Sequence, residues 1–308
     1  MSTSNYYRAP GMPQDESLDH IVTATALDGH VRAIGIRATA TVAKALEIHN
    51  TSPVATAAFG RFITGSLLVA DNMKGENDTQ TSVIKCDGPI KGMTCVCDSF
   101  GNCRAYVTNP IVENSGDGKG LDIASCVGNG ILTIIRDIGL KEPYVGSVEL
   151  ISGAIAEDFT YYMAKSEQTP SVIALGVGLD SSGVTNAGGI MVQMLPGATP
   201  EDIDYIEKRA NGGFPDVSYL LSEGLSPAQI VDMFLGDPEI KFLSSKEIAY
   251  KCNCSQDKML RVLSTLGSDD LDELASTKEG IEIKCHFCAK KYEFTSDQVL
   301  SIGRSKEK

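Results

Sequence analysis

The sequence predicts an α+β protein: an N-terminal mixed β-sheet core with packed helices, a helical linker, and a small C-terminal cysteine-bearing module. Three observations carry that expectation. Strand-like and helix-like patterns mix up to about Pro196 without a regular βαβ alternation. From Thr199 the pattern changes to short, capped, acidic helices. Two close cysteine pairs then follow, Cys252-Asn253-Cys254 and Cys285-His286-Phe287-Cys288.

The elements read as follows. Residues 1–14 are polar, with Pro10, Gly11 and Pro13, and are expected to form a disordered tail. The core is expected over 15–196. Val31–Arg37 reads as a strand, and Thr39–His49 carries apolar residues at helical spacing. Ser52-Pro53 starts a helix that runs to about Met73, with Gly75 as its stop. Its small residues suit close packing, and Arg61 argues for a core helix rather than a membrane span. Three strand-like runs between Thr81 and Thr108 are separated by Asp87-Gly88-Pro89 and Ser99-Phe100-Gly101-Asn102, which suggests a meander. A surface loop is expected at 113–120, with strands at 131–136, 145–151, 171–179 and 188–195 and a helix at 157–166.

The linker is expected over 197–243. Thr199-Pro200 and Ser226-Pro227 are helix starts, and acidic residues far outnumber basic ones. Helices this short are marginal alone and depend on burial. The C-terminal module is expected over 244–295, followed by a tail over 296–308. Ser255 and Ser268 read as helix caps, and Ile281–Lys284 and Lys291–Phe294 as two strands around the second cysteine pair. So small a module needs a staple.

Composition narrows the function. The chain has 308 residues, 42% hydrophobic and 22% charged, and reads as soluble. A net charge of −13 and a pI near 4.8 argue against a general nucleic-acid binder. Met1 to Pro13 shows no signal-peptide apolar region, and no long uninterrupted apolar run appears, so neither secretion nor membrane insertion is expected. Nine cysteines, an odd number, fit a reducing cytoplasm better than a disulfide framework.

Cys252, Cys254, Cys285 and Cys288 form two chelating pairs, the arrangement of a structural four-thiolate Zn²⁺ site. Four sulfurs fill a tetrahedron, which assigns His286 a solvated or outer role. A thioredoxin-like reading of Cys285–Cys288 fails on context, since the motif sits in a hairpin rather than before a helix. Cys95-Val96-Cys97, with Cys86 and Cys103 nearby, raises a second metal site, but small buried strand residues are the better reading; Cys126 carries no motif. Gly116-Asp117-Gly118-Lys119-Gly120 lacks the spacing of a phosphate loop. His20, His30 and His49 read as ordinary residues rather than bases, and no catalytic set stands out.

Taken with their order, these features resemble the heat shock protein 33 family of redox-regulated chaperones. The resemblance runs from about Val31 to Phe294. It rests on the C-x-C and C-x-x-C pairs and on blocks such as Arg104-Ala105-Tyr106-Val107-Thr108-Asn109-Pro110 and Asp158-Phe159-Thr160-Tyr161-Tyr162. Gly188-Gly189-Ile190-Met191-Val192-Gln193-Met194-Leu195-Pro196 is similar too. The longer N-terminal tail and five cysteines outside the pairs depart from the pattern. The resemblance implies an ATP-independent holdase, not an enzyme, holding one Zn²⁺ per chain when reduced. It implies disulfides Cys252–Cys254 and Cys285–Cys288 on oxidation, with Zn²⁺ release and linker unfolding. Ile203, Ile206, Leu220, Leu221, Ile230 and Phe234 are then expected to bind unfolding client proteins, with homodimerisation on activation, in the cytoplasm under oxidative stress. The alternative is a zinc-knuckle interaction or RNA-binding module, using Lys284, Lys290 and Lys291, without redox switching; a zinc or thiol enzyme is disfavoured because four cysteine ligands leave no open position.

Overall fold

The structure is a computed structural model that describes residues 10, 11, 13, 15–116, 120–276 and 281–306. Most of the expected N-terminal tail, residues 117–119 of the expected loop, and Glu279 lie outside the described residues. So does the side chain of Ser268, expected as a cap.

In chain order the strands are β1 (His20–Ala26), β2 (Val31–Arg37), β3 (Thr79–Cys86), β4 (Gly92–Asp98), β5 (Asn102–Val107), β6 (Gly130–Asp137), β7 (Tyr144–Glu149), β8 (Ser171–Asp180), β9 (Gly183–Met194), β10 (Lys241–Glu247), β11 (Ala249–Tyr250), β12 (Ile281–Lys284) and β13 (Lys291–Phe294). The helices are α1 (Thr39–His49), α2 (Pro53–Ala70), α3 (Ile123–Val127), α4 (Ala156–Lys165), α5 (Pro200–Asn211), α6 (Val217–Ser222), α7 (Pro227–Leu235), α8 (Gln256–Leu263), α9 (Ser268–Ala275) and α10 (Ser296–Lys306).

The chain divides into two compact units, residues 1–250 and 251–308. In the first, β10-β1-β2-β9-β8 form one sheet and β11-β5-β4-β3-β6-β7 another. Helix α2 packs on strands of both sheets, on β8 and β9 of one and β4 of the other. By length and composition it is apolar enough to cross a membrane, but 89% of it is buried in protein. Phe59, Phe62, Ile63, Leu67 and Leu68 of this helix join Ile34, Ile36, Cys95, Leu132 and Phe159 in the main core.

The five-stranded sheet is covered on both faces. Its second face buries Val22, Ala24, Val31, Ala33, Ile190 and Val192 against α5, α6 and α7. Central strands buried on both sides lose the in–out alternation that marks a half-buried strand. This is why β1, with the run Ile21-Val22-Thr23-Ala24, escaped the sequence reading: nearly every side chain in it is buried.

The second unit is small. Among the described residues, its buried side chains are Leu263, Leu271, Cys285, Tyr292, Phe294 and Val299. The expected tail over 296–308 is instead helix α10 through Lys306, and Val299 at 0% exposure completes this small core. The cause is a cap that the sequence carries: Thr295 N and Oγ1 donate to Gln298 Oε1, and Gln298 N donates back to Thr295 Oγ1. Val262 of α8 is 57% exposed.

Candidate functional site

Cys252 and Cys254 lie in the irregular stretch before α8, while Cys285 and Cys288 occupy the β12–β13 turn. That turn is closed by Cys285 N donating to Lys290 O and Ala289 N donating to Cys285 O, both at 2.9 Å. Ala289 takes a left-handed conformation at φ 58 to complete it. The four sulfurs all lie within 4.8 Å of one another, and they are the one such group of three or more metal-type ligands among the described residues. Cys252 Sγ is 3.8 Å from Cys285 Sγ, and Cys254 Sγ is 3.3 Å from Cys288 Sγ. A tetrahedral ion with Zn–S bonds of about 2.3 Å has sulfurs roughly 3.8 Å apart at its edges. The cluster therefore fits a four-thiolate metal, and His286 contributes no ligand atom to it.

The electrostatics point the same way. Burial pushes the Cys252 and Cys288 thiols up. Burial also acts on Cys254, but the hydrogen bonds from Tyr292 and Cys288 outweigh it and bring this thiol down to about 7. Four sulfurs this close cannot all ionise unaided, whereas a cation at their centre offsets the mutual repulsion.

Tyr292 was missed by the sequence reading. Its hydroxyl donates to Cys254 Sγ at 3.0 Å, a contact that would orient this sulfur toward a metal held by the cluster. The signal was the in–out alternation of β13, which turns Tyr292 and Phe294 inward.

Of the residues expected to meet clients, Ile206, Leu220, Leu221, Ile230 and Phe234 are brought together, all buried against the outer face of the five-stranded sheet. Ile203 does not join them and is 38% exposed. Each linker helix is capped from within, by Thr199 with Asp202, by Asp216, and by Ser226 with Gln229. Helix α5 also closes the end of α7: Tyr205 Oη donates to Leu235 O at 2.5 Å and Arg209 Nε to Phe234 O at 2.6 Å. Two glycines let the helices lie directly on the strands. A Cβ at Gly35 would meet Pro227 O at 2.6 Å, and one at Gly176 would meet Ser218 N at 2.4 Å.

The linker expected at 197–243 is thus packed into the first unit, and the boundary expected at 244 lies beyond Tyr250 instead. Strand pairing is the reason. β10 pairs antiparallel with β1, and β11 pairs parallel with β5. Edge strand β10 exposes most of its side chains. It is pinned by Lys246 Nζ, 2.8 Å from Asp71 Oδ1, while Arg32 Nη2 holds Asp71 Oδ2 at 2.8 Å.

The remaining candidates are structural. His20 Nδ1 lies 2.7 Å from Leu18 O, His30 Nδ1 2.8 Å from Asp202 Oδ2, and His49 Nε2 2.9 Å from Ala105 O. Two of the three lysines of the expected RNA-binding alternative are engaged: Lys291 pairs with Glu282 at 2.9 Å and Lys290 lies over the Tyr292 ring. That weakens the case for a basic RNA-binding face.

Comparison with known proteins agrees with this picture. The family model described as "Hsp33 protein" matches residues 19–295. The 33 kDa chaperonin of Ruminiclostridium cellulolyticum is 46% identical over 291 residues, covering 94% of this chain and 99% of that protein. The 33 kDa chaperonin of Agathobacter rectalis is 44% identical over 287 residues, covering 92% and 99%. A crystal structure of the 33 kDa chaperonin (heat shock protein 33 homolog) from Thermotoga maritima superposes with a TM-score of 0.85 at 34% identity, covering 94% of this chain and 99% of that one. The layered sheets and the four-cysteine module are thus those of a chaperone. The chain belongs to the Hsp33 family.

Proposed function

We propose that this chaperone is a redox-regulated, ATP-independent holdase whose four-cysteine cluster holds one Zn²⁺ in the reduced state. The observation that carries the reading is the cluster itself, four thiols within 4.8 Å on a unit with few buried side chains. When bound, the ion supplies cross-linking free energy, roughly 10–16 kcal/mol in small zinc peptides at neutral pH. Whole domains are stable by only about 5–15 kcal/mol, so the second unit folds with its metal and unfolds without it.

Oxidant acts on the cysteines. A sulfur tied into a disulfide is no longer a thiolate donor, so forming Cys252–Cys254 and Cys285–Cys288 abolishes the ligand set. Cys252 lies two residues after Tyr250, the last residue of β11, and β11 follows β10 directly in the chain. Unfolding of the module therefore removes the anchor beyond these short edge strands. Helices α5–α7 then come off their sheet and uncover Ile206, Leu220, Leu221, Ile230 and Phe234, with Ile203 already at the surface. Apolar surface of this kind holds unfolding proteins, and the net charge of −13 keeps the opened chain soluble. The opened form dimerises, acts in the cytoplasm, binds neither nucleic acid nor membrane, and turns over no substrate.

The test is metal content together with client binding. Reduced protein should contain one Zn²⁺ per chain and leave a heat-unfolded client to aggregate. Oxidised protein should be metal-free and keep that client in solution. Equal protection by both forms would leave the chaperone without its switch.

A further inference from the structure

Three cysteines outside the metal cluster share one face of the β4–β5 hairpin. Cys95, Cys97 and Cys103 are each 0–1% exposed. Cys95 Sγ lies 3.7 Å from Cys97 Sγ. Cys97 and Cys103 stand directly opposite each other in the strand register. The trio does not group as metal ligands do, since only the C-terminal cysteines gather three or more ligand atoms within 4.8 Å among the described residues.

Backbone geometry selects one pair for covalent chemistry. A disulfide requires Cα atoms about 4.4–6.8 Å apart. Facing residues on antiparallel strands are about 4.5–5.5 Å apart. Residues two apart on one strand are about 6.6–6.8 Å apart, at the outer limit. Cys97 and Cys103 meet the requirement from their backbone positions; Cys95 and Cys97 barely do.

The pair faces the main core beneath α2, and what flanks it at the sheet edge is short. The outer edge of β5 is paired only with the two residues of β11, Ala249 against Asn102 and Tyr250 against Cys103. Two-residue strands open readily.

We propose that Cys97 and Cys103 form a second oxidation site, closing a disulfide across the β4–β5 hairpin when β11 lifts. The oxidant is a hydroperoxide. One thiol takes an oxygen from it, giving a sulfenic acid and releasing water or an alcohol. The second sulfur attacks the first, the S–S bond forms as the S–O bond breaks, and hydroxide leaves with the thiol proton as water. Two electrons pass from the two sulfurs to the peroxide O–O bond. This assignment stands apart from the metal reading, because the bridge is read at different cysteines.

The full-length protein should be treated with hydrogen peroxide under mild heating, denatured, alkylated and cleaved at Asp98, which separates the two strands. The expected result is a peptide carrying Cys97 bridged to one carrying Cys103, with Cys86 and Cys126 still alkylated. The link should vanish in Cys97→Ser and persist in Cys95→Ser. Tyr250→Phe, which removes both hydrogen bonds to Ala105, should speed its formation at least about fivefold. Free thiols at Cys97 and Cys103 after oxidation, a link that survives Cys97→Ser, or scrambling onto Cys86 and Cys126 would each overturn the proposal. An unchanged rate in Tyr250→Phe would overturn the role of β11 as cover.

Discussion

The hydroxyl of Tyr250 clasps the backbone of Ala105, accepting from its N–H at 3.1 Å and donating to its C=O at 2.7 Å. Strand β11 supplies only two residues of ladder, so this side chain carries the contact two residues further along β5, from Cys103 to Ala105. It does so just before the chain passes to Cys252, the first cysteine of the cluster.

Tyr250→Phe removes both contacts and leaves the Ala105 N–H without that partner. The expected loss is about 1–3 kcal/mol, the range for stranding a buried polar group. Native-state hydrogen exchange should show faster exchange at Cys103 and Ala105, with central strands β2 and β9 unchanged. Equal exchange at Ala105 in both proteins would show that β11 contributes nothing to the edge.

The glycines beneath the linker give a test that leaves the cysteines alone. Gly176→Ala places a methyl 2.4 Å from Ser218 N, and Gly35→Ala places one 2.6 Å from Pro227 O. Overpacking of this kind destabilises by about 1–3 kcal/mol. Each variant should suppress client aggregation while still reduced and metal-loaded, because the helices are pried from their sheet directly. Variants that remain as inactive as the parent would separate linker docking from activity.

Much of this is legible in the sequence alone. Val31–Arg37, Thr39–His49, Ile281–Lys284 and Lys291–Phe294 were each read with the bounds they have. Their local patterns agree with their environments, and the four clustered cysteines announce themselves by spacing. What stayed hidden depends on distant partners. β1 has no alternation because both its faces are buried, and β10 is a strand only because β1 offers it a ladder. Tyr292 looks like any strand tyrosine until Cys254 arrives beside it. The glycine contacts that seat α6 and α7 join residues far apart in sequence, and no local pattern encodes them.

Acid should act on the linker through Asp202. Thr199 N, Thr199 Oγ1 and His30 Nδ1 all lie within 2.9 Å of its Oδ2. The Thr199 backbone hydrogen bond is the main reason this carboxyl is held below its ordinary range. A carboxylate with a lowered folded pKa contributes stability above its unfolded value, about 3.9, and that contribution is lost as pH falls through the folded value. Proteolytic protection of α5 should therefore hold through pH 5 and fall below about pH 4, and Asp202→Asn should blunt that step. A loss of protection already complete at pH 6 would implicate a different group.

Removing the ligands should unfold one unit and spare the other. Cys285→Ser combined with Cys288→Ser leaves two thiolates, too few for a closed site. Limited proteolysis should then cut within residues 251–306, Val299 should lose its burial, and the core around α2 should stay protected. A second unit that remains resistant would show that its few buried side chains suffice without metal.

The central claim is that the four thiols, while they hold a cation, keep the linker helices on their sheet. Zinc release, read by a chromogenic chelator, and suppression of client aggregation should be followed in one sample during peroxide treatment with mild heating. The account predicts that protection rises only as Zn²⁺ appears in solution, and that restoring thiols and Zn²⁺ reverses both. Full protection before any Zn²⁺ is released would contradict it.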